Sequence, residues 1–171
     1  MQQDVAKFIA TVDLFIVQSK TLIGANSESV RWATGRNSDE AKLVFPLELD
    51  GEQPGHTLIV SAFPDSGDLR FHIILMFFDW AVSRLDFENE THLNNFRRPH
   101  GLQKFVRGPH WHSWDLNRDT FHSVATPLKL PYATEFTIAH QFDATLRWFC
   151  ATHSIKIDQH NIVYPLKGKL I

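Results

Sequence analysis

The spacing of apolar residues changes twice along the chain. Val5, Phe8, Ile9, Val12, Phe15, Ile16, Leu22 and Ile23 recur at helical intervals, with Ser19 in the remaining core-side slot. This predicts an amphipathic helix opened by Asp4 and closed at Gly24. Leu14 and Val17 fall off that stripe, so the helix is expected to meet neighbours on two sides.

From about Glu28 to Phe87 the period drops to two. Val30, Trp32 and Thr34 alternate with polar neighbours; Ala41, Leu43, Phe45, Leu47 and Leu49 do so more strictly, and Leu58, Val60 and Ala62 follow. Turn-forming clusters such as 50–55 and 64–68 separate these strands. Pro46 cannot donate to a ladder and is expected at an edge or bulge. The run from Leu69 to Trp80 is apolar at both odd and even positions and predicts a central strand covered on both faces, with Ala81 to Phe87 continuing or pairing with it. A second helix is expected from about Ile138 to His153, capped by Thr137, with Phe142, Leu146, Phe149, Cys150 and His153 on one face. A short terminal strand, at 155–157 or 162–164, follows. The predicted architecture is α+β: a single domain over residues 1–171, mostly antiparallel sheet, flanked by an N-terminal and a C-terminal helix.

The 171 residues include a single cysteine, Cys150, which excludes an intramolecular disulfide framework and cysteine-based metal sites. Cys150 itself reads as a small buried hydrophobe. No apolar run has the length of a membrane span, and the N-terminus lacks the pattern of a secretory signal, so a cytoplasmic protein without membrane partners is expected. The formal net charge of −2 argues against a generally basic nucleic-acid binder.

That average conceals a concentration. Residues 91–114 contain no acid, four basic residues (Arg97, Arg98, Lys104, Arg107) and four histidines (His92, His100, His110, His112). The other 147 residues hold 13 Lys and Arg against 19 Asp and Glu. Phe96, Phe105, Trp111 and Trp114 are interleaved with the cations. Cations for phosphate and rings for bases are what single-stranded nucleic acid requires; a solvated loop with aromatic anchors has the same composition.

His110-Trp111-His112 carries the most chemistry. On a strand, residues two apart share a face, so both imidazoles would project together. Such a pair suits Zn, Fe or Ni, with a third ligand from His92, His100 or Asp86 if the loop folds back. Asp115 would fall on the opposite face. Without a metal, His110 or His112 with His92, plus Arg84 or Arg107, supplies the base, acid and cation of phosphodiester cleavage. Arg84 and Asp86 share a strand face, either as a surface ion pair or as a pair that orients a histidine. His72 reads as a hydrogen-bonded core histidine, and His153 as a partner for the negative end of the second helix. No P-loop, dinucleotide-binding glycine fingerprint or nucleophile elbow occurs.

The order Arg84-Leu85-Asp86, then His92 with Asn94 and Asn95, then Pro109-His110-Trp111-His112, then 146–150 through Ile155 resembles an uncharacterised bacterial and phage family of unknown function. The resemblance covers the second half of the chain and departs between Phe96 and Gly108, where the family has a shorter turn. It implies a bacterial or phage-borne cytoplasmic protein and carries no activity. Three functions are therefore open. The first is a nucleic-acid-directed protein, such as a ribonuclease-like toxin or phage-defence component. In it His110, His112, His92 and Arg84 are catalytic, and Arg97, Arg98, Arg107, Trp111 and Trp114 bind substrate. The second is a non-catalytic module, antitoxin-like or inhibitory, that docks a protein partner. The third is a metal-dependent enzyme with His110 and His112 as ligands.

Overall fold

The computed structural model describes residues 2–24, 30–37, 39–94, 97–122, 129–157 and 162–165. Asn95, Phe96 and the segment 123–128 fall outside them. The described chain is α+β, as the periodicity requires. Helix α1 (Gln2–Val17) is followed by β1 (Lys20–Leu22), β2 (Ala33–Thr34), β3 (Ala41–Glu48), β4 (Thr57–Ala62), β5 (Phe71–Phe77), β6 (Trp80–Phe87), β7 (Thr91–Leu93), β8 (Phe105–Arg107) and β9 (His110–His112). Then come the short helix α2 (Trp114–Asn117), a 3-10 turn (Arg118–Thr120), β10 (Thr134–Glu135), helix α3 (Phe142–Thr152) and β11 (Ile155–Lys156).

Nine strands form one sheet in the order β10-β9-β6-β5-β4-β3-β1-β11, with β2 also paired to β3; only β1 and β11 run parallel. A separate antiparallel hairpin joins β7 to β8. Register makes the sheet two-sided. Leu43, Val60, Ile73, Leu85 and Trp111 stand opposite one another across five strands and belong to the core face. The adjacent row on the other face is Lys42, Ser61, His72, Asp86, His110 and Glu135. Two residues along, Val44, Ile59, Ile74, Arg84 and His112 repeat it. One face is thus an apolar floor and the other carries nearly all the chemistry.

Four expectations need correction. Helix α1 ends at Val17 rather than Gly24, because residues 20–22 pair as β1 and alternate buried and exposed. Leu14 and Val17 are exposed, so α1 packs on one side only. The central strand β5 is buried on one face and half-buried at His72, Ile74 and Met76. The cap of α3 is Gln141 and not Thr137. Pro46 lies in an interior strand, yet its missing N–H costs nothing. It falls between the short partners β1 and β2, on an edge where only the Ile23 N–H approaches, and that bond is accepted by the Pro46 carbonyl at 2.9 Å.

Behind the sheet, Lys20 is fully buried and holds two helix ends together. Its ammonium donates to the carbonyls of Ile16 (3.2 Å), Gln18 (2.7 Å) and His153 (2.7 Å), the ends of α1 and α3. Carbonyls at helix C-termini carry partial negative charge and suit a cation.

Candidate metal centre

Strands β6 and β9 bring Arg84, Asp86, His110 and His112 onto one surface. Asp86 stands opposite His110 and Arg84 opposite His112. The Asp86 Oδ2 lies 2.8 Å from Arg84 Nε, 3.3 Å from His110 Nε2 and 3.4 Å from His112 Nε2. The β7–β8 hairpin closes over this surface from the side. His92 and Val106 are paired and face inwards, while Thr91, Leu93, Phe105 and Arg107 face out. His92 thereby joins the pair, with ring centroids 5.2 Å from His110 and 4.6 Å from His112; those two rings are themselves 5.2 Å apart. One nitrogen from each of the three imidazoles lies within 4.8 Å of the others.

Backbone carbonyls fix the outer nitrogens of two rings. Because a carbonyl only accepts, His110 Nδ1–H donates to Gly108 O (2.9 Å) and His92 Nε2–H to Pro131 O (3.0 Å). Gly108 reaches that position at a φ of +73°, in the left-handed region that suits glycine. The Pro131 carbonyl is set by two buried asparagines that grip the next two residues as a backbone would. Asn117 accepts from the Tyr132 N–H and donates to the Tyr132 carbonyl, each at 2.9 Å. Asn94 does the same for Ala133 at 2.7 and 3.0 Å, and also donates to Gln103 O. The outer nitrogens of His92 and His110 are thus engaged, which is how ligating histidines are supported, while His110 Nε2 faces Asp86 Oδ2 at 3.3 Å.

His112 is the unsatisfied member. It is 0% exposed, and its Nδ1 has no hydrogen-bond partner. Its Nε2 sits 2.9 Å from Arg84 Nη2 as well as facing Asp86. If Nε2 accepts from Arg84, Nδ1 carries an unmatched N–H; if Nε2–H turns to Asp86, Nδ1 presents a bare lone pair. Either tautomer leaves a buried polar atom unpaired, at a cost of about 1–3 kcal/mol. Arg70 Nε and Thr145 Oγ1 are likewise unpaired among the described residues, but neither belongs to a group able to hold a metal.

The electrostatics are zwitterionic rather than uniformly positive. Burial alone would raise the Asp86 pKa, but bonds from His110 and His112 and the Arg84 charge hold it well below the usual carboxylate range. Burial opposes a charge on His110, yet Asp86 and the Gly108 carbonyl outweigh it and raise its pKa. Burial lowers His112, with Arg84 reinforcing it, and burial likewise lowers His92. A second group, Asp86, Glu88 and His110, also clusters closely. There, however, Glu88 is already committed to His72 and Arg70, each at 3.1 Å.

His92, His110, His112 and Arg84 are therefore brought together, and Asp86 stands at their centre as the shared partner. The remaining sequence candidates are elsewhere. Trp111 is next to the histidines but on the opposite face, edge-on to Trp148 at 5.1 Å and bonded through Nε1 to Ser83 Oγ. Trp114 is 2% exposed and donates to Asp13 of α1. Neither ring can stack on a substrate held by the histidines, which corrects that expectation. Arg107 points outwards from the hairpin, and Arg97 and Arg98 lie on its exposed far turn, so none reaches the cluster. His100 is exposed on that turn as well. His72 is hydrogen-bonded, to Glu88, but on the half-buried polar row rather than in the core. His153 sits at the end of α3, but burial lowers its pKa to about 4 and leaves it neutral, with Nδ1–H on Phe149 O. The Cys150 thiol is buried and pushed up to about 12, which removes it as a nucleophile.

No family model, curated protein or solved structure matches this chain. No described helix is long and apolar enough to cross a membrane.

Proposed function

We propose that the chain is a metal-dependent, water-activating enzyme of the hydrolytic class, with His92, His110 and His112 as ligands of a divalent transition metal. The observation that carries this reading is the close approach of the three imidazoles, with one nitrogen from each within 4.8 Å of the others. Two of the rings are tied down at their outer nitrogens, and the third, His112, keeps a buried Nδ1 without a partner. Three imidazoles suit zinc with water as a further ligand, and nitrogen donors of this kind also accept iron or nickel; binding would displace the proton that Asp86 favours on His110. Asp86 then serves as the carboxylate behind the ligands, accepting from His112 Nε2–H and raising the basicity of its ring. Arg84, with 37% of its side chain exposed, and the half-buried His92 are the members that solvent touches, so a substrate reaches the metal along them.

A metal-free acid–base mechanism fits less well. It requires His110 or His112 to exchange protons with a substrate directly, and these residues are 3% and 0% exposed. A ligand role needs only their inner nitrogens.

The test is metal content. Untagged protein incubated with zinc and dialysed retains one equivalent, and His110→Ala and His112→Ala lose it. His92→Ala, at the most open of the three positions, loses affinity while keeping the circular dichroism spectrum of the parent. A wild-type chain that holds no zinc, iron or nickel, and whose melting temperature is unmoved by them, overturns the reading.

A further inference from the structure

The hairpin that carries His92 inwards carries something different on its back. Leu93 and Phe105 stand directly opposite each other on the outward face and are 56% and 52% exposed. Arg107 lies two residues along β8 on the same face, opposite Thr91. At the other end, Lys104 Nζ stands 5.2 Å from the centre of the Phe105 ring, and the exposed turn adds Arg97 and Arg98. Arg98 is fixed there by its Nε bond to Leu102 O at 3.0 Å.

The exposed aromatic–aliphatic pair offers a flat apolar contact surface on an otherwise polar face. Here it is bracketed by four cations, and residues 91–114 contribute no carboxylate. The nearest acid before the hairpin, Glu90, is drawn towards Arg70 at 3.4 Å. A surface that sets one exposed ring among cations complements a chain that alternates flat apolar faces with anions. We infer that the outward face of the β7–β8 hairpin docks single-stranded nucleic acid, with a base stacking on Phe105 against Leu93 and phosphates held by Arg107, Lys104, Arg97 and Arg98. A duplex hides its base faces and offers only phosphates, so it does not use the ring. An acidic peptide offers charge without stacking. This surface is separate from the proposed metal centre, because the hairpin lies between them, and it stands whether or not metal binds.

Fluorescence anisotropy with a labelled oligothymidylate of about 12 nucleotides tests it, on protein as purified and after chelation. Binding is expected at about 50 mM salt in both preparations, weakening with salt at a log–log slope of roughly −0.7 for each phosphate engaged. Phe105→Ala weakens binding about tenfold or more, the range for loss of one stacked base. Arg107→Glu weakens it as well, and His112→Ala leaves it unchanged. Metal content measured on the same variants separates the two proposals: Phe105→Ala and Arg107→Glu keep the metal that His112→Ala loses. Absence of binding at low salt overturns the inference. So does a Phe105→Ala variant that binds like the parent, or equal affinity for duplex DNA or polyglutamate.

Discussion

Two buried polar clusters lie on opposite faces of the same sheet, and only one is complete. Behind it, the Lys20 ammonium is shared among three carbonyls and the His153 ring donates to Phe149 O. In front, His112 keeps a nitrogen with no partner although Asp86, Arg84 and two further imidazoles surround it. Trp111, between His110 and His112 in sequence, faces the rear cluster with its ring 6.3 Å from His153. The distance between structure and candidate function is thus one residue along β9. Burial alone does not mark a site, since Lys20 and His112 are equally inaccessible. What separates them is whether the backbone has already met the demand of the buried group.

If that distinction is right, the rear cluster should respond to loss of its partners and the front one to supply of a guest. The largest effect is expected at Lys20. Lys20→Met strands the buried His153 carbonyl and two half-buried carbonyls at the end of α1, and should cost about 3 kcal/mol or more in urea denaturation. A variant as stable as the parent would show that the rear cluster is not a structural clamp.

His153 should make the fold acid-sensitive. Its folded pKa of about 4 lies below the ordinary 6.5, so between those values the unfolded chain binds more protons. Stability from this group is complete above about pH 6.5 and falls progressively as the pH drops towards 4. The total is about 3 kcal/mol. Lys20, whose ammonium bonds the His153 carbonyl, stays charged throughout that range. His153→Leu should therefore flatten the difference in unfolding free energy between pH 7 and pH 4.5, and an unchanged slope would contradict it.

At the front, zinc at a hundredfold excess over its dissociation constant should add about 2.7 kcal/mol to the wild type and nothing to His112→Phe. In metal-free protein that variant should cost about 1–2 kcal/mol, because removing the unpaired nitrogen only partly offsets the lost bonds to Asp86 and Arg84. A metal-free loss as large as that at Lys20 would erase the contrast. Asn94→Ala should cost about 2 kcal/mol and lower metal affinity roughly tenfold, because it loosens the segment whose Pro131 carbonyl fixes His92. The smallest effect belongs to the hairpin's outward face, where Phe105→Ala should shift stability by no more than about 0.5 kcal/mol.

Local rules carried a good part of this molecule. Period-two alternation located β3 to β6 and placed His110 with His112, and Arg84 with Asp86, on shared faces. The same alternation, applied one residue further, would have turned Trp111 away from the histidines. An aromatic beside a basic window equally suits stacking on a base, so composition and alternation point opposite ways at Trp111. Lys20 gave none, since a lysine in the last turn of an expected helix is ordinary until two helix ends are known to meet there. The continued apolar spacing at Leu22 and Ile23 fitted a longer helix as well as a strand, and pairing with β3 decided between them.

The sequence by itself determined which residues share a strand face, where the chain alternates, and where positive charge accumulates, because these depend on neighbours a few positions apart. Only the tertiary structure decided that Asp86 stands against His110, that His92 folds back onto both histidines, and that Phe105 is left facing water. Those facts come from strand register and from the closure of a hairpin over the sheet. Both are set by the packing of the whole apolar floor, and no short window of residues contains that information.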